Sequence, residues 1–170
     1  MALVRAEEPR DAEAVHALLR AAFAREAEAR LVERLRASGK ILCTLVAEDA
    51  GRILGHAVFS RAAACDGVEG QGAAVLAPVA VLPAFQRLGI GSALVSAGIG
   101  RCRLEREPRL LVLGDPAWYA RFGFLPAARF GLRCPWPAPA ANFMAMELQP
   151  GAFAGATGAV RYGHEFDDLE

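Results

Sequence analysis

The sequence has one lysine, Lys40, among 19 basic residues, so its positive charge is almost wholly arginine. Mechanisms that need a second lysine are thereby excluded, and Schiff-base chemistry is disfavoured. Net charge is also lacking. The 19 basic residues meet 19 acidic ones, leaving no field to draw in nucleic acid or an anionic membrane. No run approaches the ~18 consecutive apolar residues of a membrane span. Where a secretory leader would need an apolar stretch, the N-terminus carries Arg5, Glu7, Glu8, Arg10, Asp11 and Glu13. A soluble, cytoplasmic protein with no nucleic-acid or membrane partner is the expectation. Cys43, Cys65, Cys102 and Cys134 form no CxxC and no paired spacing, so neither a zinc site nor a disulfide framework is indicated, and buried thiols are expected. His16 and His164 lack metal-ligand spacing, and His164-Glu165-Phe166-Asp167-Asp168 is not HExxH. No metal is expected.

The chain has 170 residues, 54% of them hydrophobic and 22% charged. One domain over residues 1–170 with a substantial core is the economical reading. Leu3 to Ala6 reads as a short strand. From Asp11 onward, Val15, Leu18, Leu19, Ala22 and Phe23 recur at helical spacing. A second helix is predicted over Glu26 to Ala37, with Leu31, Val32 and Leu35 inward, Gly39 past its end and Glu26 paired with Arg30 on the surface. Ile41 to Glu48 and Arg52 to Arg61 read as antiparallel strands joined by the turn signal Asp49-Ala50-Gly51. After a turn over 66–72, Ala73 to Pro83 is a nearly continuous apolar strand. A helix over Gly89 to Glu105 leads to a second buried strand, Arg109 to Leu113. Strand, helix and strand in that order predict parallel neighbours. Asp115-Pro116 caps and opens a short helix that Gly123 ends, and Phe143 to Leu148 reads as a late strand.

The informative junction is Gln86-Arg87-Leu88-Gly89-Ile90-Gly91-Ser92, where a buried strand passes through a glycine-containing turn into a helix. Free amides at a helix start, with the macrodipole behind them, attract anions. A Walker loop would need Lys-Ser or Lys-Thr after its last glycine, but Ser92-Ala93 follows Gly91. A dinucleotide fingerprint would need glycine where Leu94 stands, and a nucleophile elbow would need glycine two residues before Ser96.

What remains, Gln-x-x-Gly-x-Gly after a buried strand, resembles the GNAT superfamily of N-acetyltransferases. Asp115-Pro116-Ala117-Trp118-Tyr119-Ala120-Arg121-Phe122-Gly123-Phe124 is similar to that family's helix after the fifth strand, with its tyrosine four residues before the glycine of Gly-Phe. A narrower resemblance, to the YhbS-like acetyltransferases, rests on Leu113 to Ala117, Phe122 to Ala127, Leu148 to Phe153 and Gly158 to Tyr162. The resemblance implies an α/β (α+β) fold: a mixed, mostly antiparallel sheet with a splayed parallel pair of fourth and fifth strands, flanked by helices. Pro78 suits such a parting, since proline in a strand interior removes a ladder hydrogen bond.

The resemblance also implies acetyl-coenzyme A as co-substrate. It assigns the diphosphate to Gln86, Arg87, Leu88, Gly89, Ile90, Gly91 and Ser92, and pantetheine to the backbone of Val79, Ala80 and Val81. Pro116 and Tyr119 complete the cofactor set. Tyr119 is implied as the general acid that protonates the departing thiolate. A small-molecule or peptide amine is the implied acceptor, its kind left open because the acceptor segments Ala24 to Ser38 and Arg129 to Asn142 carry no diagnostic motif, and a homodimer is left open. No carboxylate lies on the fourth strand, where Val75, Leu76, Ala77 and Val79 stand. Glu28, Glu33, Glu69, His56 or a water relay is left as the base, against ordinary readings of Glu28 and Glu33 as a solvated helix face and of His56 as a strand histidine. The acidic end, Glu165, Asp167, Asp168 and Glu170, reads as a solvated terminus. The alternative to an enzyme is a coenzyme A-binding module without turnover, acting as a sensor or interaction partner.

Overall fold

A computed structural model describes residues 2–169. Strands β1 (Leu3–Ala6), β2 (Ile41–Asp49), β3 (Arg52–Asp66), β4 (Gly72–Val81), β5 (Arg109–Leu113), β6 (Leu125–Pro126), β7 (Leu132–Arg133), β8 (Phe143–Glu147) and β9 (Thr157–Tyr162) form a nine-stranded sheet. Its main path runs β1-β2-β3-β4-β5-β8-β6, with β9 against the far end of β3. Helices α1 (Ala12–Phe23) and α2 (Ala27–Ser38) cover one face, and α3 (Ile90–Leu104) covers the other. The short helix α4 (Pro116–Ala120) follows β5.

Local sequence accounts for these elements. Ala50 and Gly51 both have positive φ, 50° and 80°, so the β2–β3 hairpin turns in the form that matches strand twist. Along β3 the period of two sends Val58 to the α1/α2 core and Phe59 to the α3 core. Val15, Leu18 and Leu19 of α1 and Leu31, Val32 and Leu35 of α2 are buried as their spacing predicts. On α3 the buried stripe is Ile90, Leu94, Val95, Gly98, Ile99 and Cys102. The Asp115 side chain accepts from the Ala117 amide at 3.0 Å, capping α4 ahead of Pro116.

The sheet is antiparallel except at β4–β5 and at the two-residue β7–β9 contact. Between β4 and β5 only Ala74–Leu110 and Val75–Leu111 pair. Beyond Val75 the two strands part. On its other side β4 stays joined to β3, but the register steps from Phe59–Leu76 to Ala57–Val79, so Ala77 and Pro78 form a bulge opposite Val58. Proline thus sits where the ladder has already opened.

Several expectations are corrected. β3 runs to Asp66 rather than Arg61, because Ala63 and Ala64 pair with β9 as well as β4, and Asp66 pairs with Thr157 of β9. β4 ends at Val81, and Pro83 begins a 3-10 turn instead. Glu26, in the short link between α1 and α2, pairs with Arg20 of α1 at 2.5 Å rather than with Arg30. Cys65 and Cys102 are buried, whereas Cys43 and Cys134 are partly exposed. The acidic end is not simply solvated: Glu165 is 0% exposed and meets Lys40 at 2.9 Å, and Asp168 pairs with Arg34. No helix among the described residues is long and apolar enough to cross a membrane.

Candidate functional site

The parting of β4 from β5 opens two adjoining hollows. The first is a groove of about 330 Å³ lined by Val79, Val81, Phe85, Gln86, Arg87, Gly89, Ile90, Gly91, Ser92, Trp118 and Tyr119. Its floor is the bend between β4 and α3. Gly89 stands at φ 85°, a conformation that favours glycine, and caps α3. The Ala93 amide donates to the Gly89 carbonyl at 3.0 Å. The amides before it, from Leu88 to Ser92, have no backbone acceptor among the described residues. Aimed out of a helix start with the macrodipole behind them, they favour an anionic guest.

Side chains shape this bend. Gln86 Nε2 donates to the Val81 carbonyl at 3.2 Å, tying the loop back to the strand. Arg121, one turn past Trp118, reaches across the groove and donates to Ser92 Oγ. Its guanidinium stacks 5.5 Å from the Trp118 ring centroid, so a cation stands at the mouth of the anion-favouring bend. Of the residues expected here, Ala80, Leu88 and Pro116 do not line the groove. Ala80 faces the α1/α2 core, the Leu88 side chain is exposed and Pro116 serves as the first residue of α4. Trp118, Phe85 and Arg121 join the site without having been expected. The one sequence signal for Arg121 is its i+3 spacing from Trp118 on one helical face.

The second hollow is a chamber of about 340 Å³. Leu76, Ala77, Pro78 and Val79 of the bulged strand line one side, and Trp136, Tyr162, Phe166 and Leu169 line another. Val79 and Tyr119 belong to both hollows. Tyr119 is half-buried among Trp118, Phe122 and Phe124, with ring centroids 4.8, 6.5 and 5.7 Å away. Burial pushes its phenol up to about 12, so it keeps its proton throughout the neutral range.

Glu28 also lines the chamber and is 6% exposed, which corrects the solvated-face reading. The first turn of α2 points it inward, and Arg25 holds it through Nε at 2.9 Å and Nη2 at 2.5 Å. Glu33 is exposed, as expected of a helix face, and Glu69 is exposed in the 66–72 turn. His56 is fully buried on β3 with Nε2 3.2 Å from Glu7 Oε2, and it lines neither hollow. Burial pushes the Cys43 thiol up to about 11 and Cys102 to about 12, so neither is a ready nucleophile. Among the described residues no group of three His, Cys, Asp or Glu side chains is placed to hold a metal.

Residues 40–126 match the family model for the acetyltransferase (GNAT) domain. The chain is 38% identical to the uncharacterized N-acetyltransferase YhbS of Escherichia coli K12, across 97% of this chain and 98% of that protein. The crystal structure of E. coli YhbS, in complex with CoA, superimposes with a TM-score of 0.89 at 37% identity, covering 99% of this chain and 93% of the other. A GNAT family acetyltransferase from Brucella melitensis, in complex with acetyl-CoA, gives a TM-score of 0.80 at 30% identity, covering 98% and 99%.

Proposed function

The chain belongs to the GNAT acetyltransferase family, and from that premise we propose that it moves an acetyl group from acetyl-CoA to a primary amine by direct attack in a ternary complex. The observation that carries this reading is the junction of the two hollows at Val79 and Tyr119. A cofactor laid along the groove would bring its thioester to that junction, where an amine in the chamber could meet it. The diphosphate would take the amides of the 86–92 bend, with Arg121 alongside. Pantetheine would lie along the free edge of β4 at Val79 to Val81, as a neighbouring strand would.

Positioning supplies most of the rate in such a site, because it turns a bimolecular encounter into a local one. The amine nitrogen attacks the thioester carbonyl, the C–N bond forms, the C–S bond breaks, Tyr119 gives its proton to the departing thiolate, and the proton that the nitrogen sheds restores the phenol. A phenol held near 12 keeps that proton at working pH, so the donor is in its protonated form when the thiolate departs. No thiol of the protein is needed.

The test is release of free CoA from acetyl-CoA with a panel of amines, repeated with Tyr119→Phe. The wild type should release thiol only when amine is present. The variant should lose about 10²–10⁴-fold in kcat, the usual range for a general acid, with acetyl-CoA affinity retained. Tight acetyl-CoA binding without amine-dependent release would make the protein a binding module instead.

A further inference from the structure

Among the described residues, two charged side chains line the chamber, Arg25 and Glu28, and they are paired with each other. The rest of the wall is apolar or aromatic. Trp136 stacks on Tyr162 at 4.4 Å between centroids, and Tyr162 meets Phe166 at 5.1 Å. The C-terminal part of this wall is fastened from outside by Lys40–Glu165 and Arg34–Asp168. The aromatic stack is therefore a fixed surface of the chamber.

We propose that the acceptor is a compact zwitterion, the α-amino group of an apolar or aromatic amino acid or a close analogue, with its ammonium on Glu28 and its carboxylate on Arg25. This rests on the acetyl-transfer reading and names the substrate class for it. Charge balance is the first reason. A purely cationic acceptor, such as a polyamine or a lysine side chain, must share Glu28 with Arg25 and leaves excess positive charge in a largely apolar chamber. A zwitterion exchanges partners with the existing pair and leaves no charge unmatched. Arg25 already presents two N–H groups to one carboxylate and can present the same fork to another. Size and lining are the second reason. About 340 Å³ is at the small end of ligand sites and suits a body the size of one side chain. The aromatic wall favours that body when it is apolar.

The proton balance is simple. The bound ammonium passes one proton through Glu28 to water and attacks as the free amine. The second proton leaves the nitrogen as the amide forms and restores the one Tyr119 gave to the thiolate. The products are the N-acetyl amino acid and CoA.

The experiment compares phenylalanine, phenethylamine, spermidine and a lysine-containing peptide as acceptors, using wild type, Arg25→Gln and Glu28→Gln. For wild type, phenylalanine should exceed phenethylamine in kcat/KM by about 10- to 100-fold, the worth of one charge-assisted contact. Arg25→Gln should erase that margin by raising KM for phenylalanine much more than for phenethylamine. Glu28→Gln should lower turnover with both while acetyl-CoA affinity, read by calorimetry, is unchanged. Equal or better turnover with phenethylamine, spermidine or peptide overturns the zwitterion, as does an Arg25→Gln effect of one size on every amine, yet thiol release in those cases still supports acetyl transfer. No release with any amine from protein that binds acetyl-CoA overturns both.

Discussion

Tyr119 is held by fit. Its ring lies against Trp118 and Phe124, and a Cβ on Gly114 would stand 2.5 Å from its Cε2. Glycine at 114 therefore makes the space in which the ring stands beside Val79. Gly114→Ala should displace the phenol and lower kcat by about 10-fold or more, since misplacement by about 1 Å can cost 10²-fold. Calorimetry should find acetyl-CoA affinity within a few-fold of wild type, because the 86–92 bend is untouched. Equal losses in both would show that Gly114 supports the groove instead. The short helix that carries Tyr119 was legible because its signal is local, Asp115 as N-cap and Pro116 after it, whereas the role expected of Tyr119 came with the family resemblance. The burial of Glu28 was not legible. Glu26, Glu28 and Glu33 look alike along the helix, and the chamber that Glu28 lines takes another of its walls from more than a hundred positions later, at Trp136, Tyr162 and Phe166. Glu165 is the same case, buried through a partner at Lys40.

At the scale of elements, α3 carries the bend at its first turn and is anchored to the sheet at its third. A Cβ on Gly98 would fall 1.9 Å from Phe59 Cε1, so the helix lies directly on that ring. Gly98→Ala should destabilise the fold by about 1–3 kcal/mol or more, as overpacking of a filled core does. The check is the midpoint of denaturant unfolding at unchanged slope. An unshifted midpoint would mean that α3 rides further from β3 than described. The long elements were legible because each has either a period of its own or, in β4, a nearly continuous apolar run. β6, β7 and β9 were not. The first two are two-residue contacts, and β9 contains Gly158 at φ 83° with a pattern too short to show alternation. These segments become strands only because β8, β3 and one another offer edges.

Over the whole molecule, ion pairs tie the first strand and the helices to the sheet. Asp11 is lowered to about 2, first by hydrogen bonds from Arg5, which also reaches Glu48 at 2.6 Å. Burial works against the charged form of Glu7, but hydrogen bonds from His56 and Arg36 outweigh it and hold Glu7 down to about 2. Both carboxylates thus have folded pKa values below their ordinary 3.8 and 4.5. Their stabilisation is full above those ordinary values and is lost as pH falls toward about 2. Melting temperature should drop through that window. Glu7→Gln should cost roughly 1–3 kcal/mol at pH 7 and approach wild type near pH 2. A constant difference across pH would show that Glu7 acts by packing rather than charge.

On the acetyl-transfer reading the main-chain donors of the 86–92 bend hold the diphosphate of acetyl-CoA and thereby lay the thioester beside Tyr119. A crystal structure of this protein with acetyl-CoA bound measures that directly. Diphosphate oxygens should lie within about 3 Å of amides between Leu88 and Ser92, with the thioester sulfur facing the Tyr119 phenol where groove and chamber meet. A cofactor seated elsewhere, or an 86–92 bend left empty at saturating acetyl-CoA, would contradict it.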